Sequence, residues 1–290
     1  MATSLEPAVT AVPRRGAFGD FLRRHPTIVV GCAIIAFMTA VALLAPLIAG
    51  DPIGFDPINR LQPPSATFWF GTDNLGRDVY ARTVYGARIS LIVGLLVAIF
   101  TIVLGLLIGL LAGFYRTFDG LIMRVMDGIM AIPAILLAIA LVALTKASVE
   151  VVIMAIAIPE IPRVVRLVRS VVLTVREQPY VDAAIASGTR ATRILIRHIL
   201  PNTVAPLIVQ ATYIIASAVI IEAALSFLGA GVPPEIPTWG NMISEGRLFL
   251  QIAPWPIFFP GVCLAILVLA VNVLGDGLRD RLDPRIARRM

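Results

Sequence analysis

The stretch RVVRLVRSVVLTVREQPYVDAAIASGTRATRILIRHILPN, residues 163–202, is the one long segment in which charge interrupts an otherwise apolar chain. It holds seven arginines, places Asp182-Ala183-Ala184 at its middle with Gly188 four residues beyond, and carries Leu200-Pro201 near its end. Its surroundings have the opposite character. The 290-residue chain is 58% hydrophobic and 14% charged, where an average soluble domain carries about 25% charge. Apolar runs of roughly 18 residues or more recur, each long enough as a helix to cross a hydrocarbon layer about 30 Å thick. The expected fold class is all-α, a polytopic membrane protein, with the quoted stretch as a cytoplasmic loop for another protein to grip.

Outward from that loop, the chain divides into a membrane body and two tails. Residues 1–13 are small, Pro-containing and without periodicity. In RRGAFGDFLRRHP, residues 14–26, Phe18, Phe21 and Leu22 share a helical face beside Arg23 and Arg24, which predicts an N-terminal interfacial elbow helix at the cytoplasmic surface. Residues 1–26 are therefore read as tail and elbow. The apolar stretch 27–49 would be about 34 Å long as a helix. That is too long for a signal-peptide core, and it ends in Gly50-Asp51-Pro52 rather than a small-x-small cleavage site.

Further spans are expected at about residues 89–114, 125–145, 149–169, 203–228 and 255–274, making six within a membrane domain of 27–275. Polar loops at 51–88 and 229–254, the long loop 170–202 and a basic tail 276–290 connect and close them. The second span spaces Gly105, Gly109 and Gly113 four apart, baring one face for close helix packing. Pro133 is read as a tolerated kink in the third. The fourth contains Pro159-Glu160-Ile161-Pro162, followed by Arg163, Arg166 and Arg169 on one helical face. A carboxylate inside a span is costly and marks a functional-site candidate. Glu160 either pairs with Arg163 one turn away or lines a path through the membrane.

Six spans put both termini on one side. With the N-terminus inside, most of the 24 basic residues face the cytoplasm, leaving Arg60, Arg77, Arg82, Arg88, Lys146 and Arg247 outside. The positive-inside rule thus predicts N-in, C-in. Because the basic residues are divided among membrane flanks, the net charge of +6 points to topology and not to nucleic acid. The arginines around the long loop are read chiefly as topology and membrane anchors. Cys32 and Cys263 fall in apolar runs and read as small buried hydrophobes. Neither they nor His25 and His198 have metal-ligand spacing, so no metal site is expected.

Within the long loop, Glu177-Gln178-Pro179 predicts a break, residues 180–187 a short helix capped by Gly188, and residues 189–200 a second helix stopped by Pro201. Ala183 and Ala184 would form a flat patch beside the Asp182 carboxylate, suited to a partner's cleft; the alternative is a solvated connector.

This segment resembles the cytoplasmic coupling loop of ABC-importer permeases, whose signature is Glu-Ala-Ala, a Gly four residues after the second Ala, and a terminal Leu-Pro. Here Asp182 stands for the Glu, and Ala183, Ala184, Gly188, Leu200 and Pro201 match. Further stretches resemble the dipeptide/oligopeptide (and nickel) branch, in its second, C-type permease. They are Gly71-Thr72-Asp73 with Gly76-Arg77-Asp78, Phe227-Leu228-Gly229, Trp239-Gly240, Ala253-Pro254-Trp255, Gly275-Asp276-Gly277-Leu278-Arg279-Asp280 and Leu282-Asp283-Pro284-Arg285. Together and in order they cover roughly residues 15–285. Glu222-Ala223-Ala224 is a more literal triplet, but the topology places it about 27 Å along the fifth span, near the outer face.

The resemblance implies a multi-pass subunit of a bacterial inner membrane, not itself an enzyme. It would form half of the path of an ATP-driven peptide importer, with nickel, glutathione or opines as other cargoes in the same family. It implies a homologous second permease subunit, two ATPase subunits, an extracytoplasmic solute-binding protein and membrane lipid as partners. Tyr180, Asp182, Ala183, Ala184, Gly188, Leu200 and Pro201 would couple to the ATPases. Asp73, Arg77 and Asp78 would either meet the binding protein or, the preferred reading, pair with one another. No G-x-x-x-x-G-K-[ST] occurs in the chain, so ATP and Mg would belong to the partner ATPases. A secondary transporter would need conspicuous ionisable groups at mid-membrane, where only Glu160 and Asp127 qualify. An intramembrane enzyme would need a nucleophile–base set or a metal motif, which the sequence lacks.

Overall fold

The computed structural model describes residues 25–282. The expected tail and elbow up to residue 24, and the motif and tail beyond Leu282, lie outside the described residues. The order of helices is α1 (Pro26–Leu43), α2 (Ala45–Ile48), α3 (Val79–Phe114), α4 (Arg116–Met130), α5 (Ala134–Ala143), α6 (Val149–Arg176), α7 (Pro179–Ala186), α8 (Ala191–Ile194), α9 (Leu200–Phe227), α10 (Trp239–Gly246) and α11 (Trp255–Leu282). A π-turn at Leu195–Ile199 joins α8 to α9. Among the described residues the sole β pairing is an isolated bridge between Thr72 and Asp78.

Four helices are long and apolar enough to cross a membrane: α1, α3, the continuous run Ala191–Phe227, and α11. Counting the bent pair α4–α5 as one span makes five. The third expected span, at 125–145, is thus not one helix: α4 and α5 meet at 85° across residues 131–133. Pro133 has no N–H and disfavours helical geometry at Ile132, and α4 carries Asp119, Arg124 and Asp127 while α5 is wholly apolar. The fourth expected span lies in α6. Its 28 residues reach about 42 Å, but four arginines and two glutamates make it too polar to be counted with the others.

The prolines before and after the long loop sit in helices rather than ending them. Pro159 and Pro162 lie inside α6 without ending it. Pro201 does not stop the loop's second helix as expected; it sits in the first turn of α9, after the π-turn, with the Leu200 amide donating to the Leu195 carbonyl. A first-turn position needs no amide hydrogen, and the wider π-turn carries the chain across the change of register.

The body is held by a glycine face against a valine ridge. A Cβ on Gly105, Gly109 or Gly113 would lie 2.5, 2.7 or 2.6 Å from the side chain of Val164, Val168 or Val172. The four-residue spacing on α3 therefore fits the four-residue ridge on α6. Val93, Val97, Ile153, Ile156, Ile214 and Leu225 complete this core. A second cluster seats α1 and α11 through Met38, Ala42, Val219, Leu267 and Val271. Both cysteines are free; Cys263 is half-buried, whereas Cys32 is exposed and not the buried residue expected. Alpha-1 is apolar on all sides, so its sequence gives no face to bury.

Candidate functional site

The long loop folds as a short helix with defined ends. Arg176, the last residue of α6, donates from Nη1 to the carbonyls of Gly113 and Phe114 at 3.4 Å each, at the C-terminal end of α3 where the helix dipole favours a cation. Pro179 opens α7, where no amide hydrogen is required. Val181 is buried against the body and Ala184 packs on the core, while Tyr180, Asp182, Ala183 and Ile185 are exposed. Gly188 has φ +74°; its amide donates to the Ile185 carbonyl at 2.9 Å and that of Thr189 to Ala184 at 3.0 Å. This is the Schellman ending, in which a left-handed residue closes the last turn. Tyr180 lies 5.9 Å, ring to ring, from His198 of the π-turn. The structure thus brings Tyr180, Asp182 and Ala183 onto one short exposed helix capped at Gly188. Leu200, half-buried, and Pro201, exposed, belong to the returning helix.

The arginine ladder of α6 is paired rung by rung. Because the helix survives Pro162, Arg163 lies one turn from Glu160, and its Nη1 reaches both carboxylate oxygens at 3.2 Å and donates to the Tyr213 hydroxyl at 3.3 Å. Arg166 Nη2 binds Asp127 Oδ1 at 2.6 Å, and Arg169 grips Asp119 with Nε and Nη2 at 2.5 and 2.7 Å. Two of these arginines, expected as membrane anchors, thus clamp α4 to α6. Glu160 is 2% exposed, whereas the side chains of Arg163 and Arg166 are 45% and 46% exposed.

At the other end of α3, Asp73 accepts from Arg77 Nε at 2.6 Å and Arg82 Nη1 at 2.7 Å, and from the backbone amides of Leu75 and Arg77. Glu245 of α10 completes the network, bonded by Arg77 and, at 3.1 Å, by Arg82. Asp73, Arg77 and Arg82 are buried. Asp78 stands apart as the N-cap of α3, accepting from the Tyr80 amide at 2.9 Å. Burial pushes its carboxyl above the usual carboxylate range, against the pull of the Tyr80 and Ala81 amides. Glu222 is fully buried at the far end of α9, accepting from the hydroxyls of Ser226 and Thr238 at 3.0 Å each. Among the described residues no group of three His, Cys, Asp or Glu side chains is arranged to hold a metal ion.

Residues 101–288 match the protein family described as "Binding-protein-dependent transport system inner membrane component". The chain belongs to this family of inner-membrane transport permeases. Residues 19–64 of the permease match the "N-terminal TM domain of oligopeptide transport permease C". It is 62% identical over 267 residues to the "Probable peptide ABC transporter permease protein" of Sinorhizobium fredii, covering 92% of each chain. It is 46% identical to the dipeptide transport system permease protein of Alkalihalophilus pseudofirmus, over 97% of this chain and 93% of that relative. To the glutathione transport system permease protein of Salmonella typhimurium it is 41% identical, over 97% and 94%. In fold it resembles a chain of the MetNI methionine ABC transporter in an inward-facing conformation. There the TM-score is 0.57 at 19% identity, over 69% of the permease and 96% of that chain.

Several of the permease's site residues escaped the sequence. Glu245 is separated from Arg77 by 168 positions, and no local pattern announces such a partner. Arg82 carried a signal: an arginine one turn into a helix that becomes apolar must find an acid. Asp119 and Asp127 lie 50 and 39 positions from their arginines, and only the fold brings α4 alongside α6. Tyr213 sits in an apolar run where an aromatic residue is unremarked.

Proposed function

We propose that this permease is half of the translocation path of an ATP-driven peptide importer, supplied by an extracytoplasmic solute-binding protein. A homologous second permease forms the other half, and two ATPase subunits carrying ATP and Mg sit on the cytoplasmic side. The observation that carries the reading is α7: an exposed helix of eight residues, closed by a left-handed glycine, between two long membrane helices. Tyr180, Asp182, Ala183, Ala184 and Gly188 form the coupling helix that docks in an ATPase cleft, with Leu200 and Pro201 starting the helix that carries the motion away. The peptide cargo rests on the relatives at 62% and 46% identity, both nearer than the glutathione permease.

In this reading the chain crosses the membrane six times, N-in and C-in, through α1, α3, the bent pair α4–α5, α6, α9 and α11. Exposed apolar side chains such as Phe37 and Leu269 then face lipid. ATP-driven closure of the ATPases displaces α7, and α6, clasped to α3 by its valine ridge and to α4 by its arginines, tilts as a rigid body. Arg163, held by the buried Glu160, faces the path, and Asp73, Arg77 and Asp78 stiffen the outer surface on which the binding protein sits.

Reconstitution into proteoliposomes with the second permease, ATPases and binding protein tests this. Gly188→Val and Asp182→Lys are expected to lower peptide uptake roughly tenfold while ATP hydrolysis continues, a coupling loss within the usual 1–3 kcal/mol range. Uptake equal to that of the unsubstituted complex would remove α7 from the coupling role.

A further inference from the structure

Arg163 is an exposed cation packed beside an apolar helix. Its Nη1 donates to the hydroxyl of Tyr213, and its guanidinium carbon lies 6.0 Å from that ring's centre. Tyr213 stands midway along α9, about 20 Å from either end of the helix. Alpha-9 belongs to one of the runs long and apolar enough to cross a membrane, and the six-span reading then puts the guanidinium within the hydrocarbon depth of the bilayer. Charged groups there face a water-filled cavity or another polar surface. Glu160 is not the group on offer, since it is buried and both its oxygens are turned onto Arg163.

The bonding of the guanidinium defines what it can take. Every hydrogen bond of Arg163 to the described residues uses Nη1, which leaves Nε–H and Nη2–H unengaged. These two parallel donors form the side-on edge that grips a carboxylate bidentately. The same edge of Arg169 holds Asp119 in that way. We propose that Arg163 is a specificity-determining residue of the path, receiving the C-terminal carboxylate of the passing peptide on Nε and Nη2. Glu160 is the positioning residue. It fixes the guanidinium through Nη1 and offsets its charge, so that the carboxylate is held loosely enough to leave, as conduction requires. The half-exposed Tyr213 ring supplies the adjoining surface.

The inference rests on the importer reading, and the experiment separates the two. ATP-driven uptake of dialanine and of its C-terminal amide is measured in proteoliposomes with the full complex, at equal measured loading of the binding protein. Arg163→Gln is expected to lower dialanine uptake about tenfold or more and to leave amide uptake at the unsubstituted rate. The double variant Glu160→Gln/Arg163→Gln is expected to stay as low for dialanine as the single one. Recovery in the double variant would mean that Arg163 only neutralises Glu160, and an equal fall for both peptides would mean a general packing role; either overturns the proposal. So would loss of the second permease on purification of Arg163→Gln, which would assign the side chain to the subunit interface. If the unsubstituted complex accumulates dialanine and Arg163→Gln matches it, this inference alone falls. If the unsubstituted complex accumulates neither peptide, the importer reading falls and takes the inference with it.

Discussion

At Gly188 the backbone φ is +74° and a Cβ would meet nothing within 4 Å, whereas at Gly109 a Cβ would strike Val168 at 2.7 Å and the Val165 carbonyl at 2.9 Å. One glycine is required by conformation and the other by space. Substituting alanine at Gly188 is therefore expected to cost about 1–2 kcal/mol, the usual penalty for a left-handed residue with a side chain. That strain is confined to the exposed end of α7. Gly109→Leu is expected to destabilise the whole body by about 1–3 kcal/mol through overpacking of α3 on α6. Thermal unfolding of the purified permease in detergent checks the pair: the melting temperature should fall more for Gly109→Leu than for Gly188→Ala, whose strain is relieved by fraying of the exposed end of α7. Equal melting temperatures for the two would contradict the distinction. Both glycines were legible in the sequence, for different reasons. Gly188 follows a short helical segment at a capping distance, and Gly109 belongs to a four-residue repeat. The valines that fill the bare face were not legible, because Val164, Val168 and Val172 read equally well as part of any apolar helix.

Among the helices, α4 and α6 illustrate how charge spacing within one element leaves its partners unnamed. Arg163, Arg166 and Arg169 stand one turn apart, so a single charged stripe could be read directly. Their acids come from two helices: Glu160 on the same helix, and Asp127 and Asp119 on α4, of which the expected span 125–145 takes in Asp127 with α5 and leaves Asp119 outside. The bend at Pro133 separates a polar helix from an apolar one, and averaging hydropathy across residues 125–145 conceals it. The long apolar helices and the loop helix α7 were readable because periodicity and capping are local; the bend, the π-turn and the clasps were not, because each depends on what lies alongside. Arg169 and Asp119 are 30% and 25% exposed, so their forked pair is expected to contribute about 1 kcal/mol. Asp119→Asn should lower the melting temperature slightly and lower peptide uptake further than it lowers ATP hydrolysis, since α4 would no longer follow α6. A variant that keeps the ratio of uptake to hydrolysis unchanged would show that the clasp transmits no motion.

Taken whole, the permease carries its two sites at opposite ends of one helix. Alpha-3 is 36 residues long, about 54 Å. Asp78 caps one end beside the Asp73–Arg77–Arg82–Glu245 network, and Arg176 binds the carbonyls at the other end, where the loop proposed to couple to the ATPases begins. On the proposed importer reading, such a rod carries a displacement across the membrane only if this end is fixed to the loops proposed to meet the binding protein. The network does this by joining residues 73–77, the first turn of α3 and α10 through buried charges. Within it the partners are unequal. Asp73 is nearly buried and holds two arginines and two backbone amides, while Glu245 keeps a side chain 23% exposed. Removing one member of a buried ion pair costs about 3–5 kcal/mol, because the remaining charge is left uncompensated. Water reaching Glu245 reduces that penalty. Asp73→Asn is therefore expected to lower thermal stability in detergent more than Glu245→Gln, by roughly 3 against 1–2 kcal/mol. Peptide-loaded binding protein should then stimulate ATP hydrolysis less in Asp73→Asn, even under conditions where the complex remains assembled. Equal melting for the two variants with full stimulation in both would mean that the outer network stabilises its loops without linking them to α3.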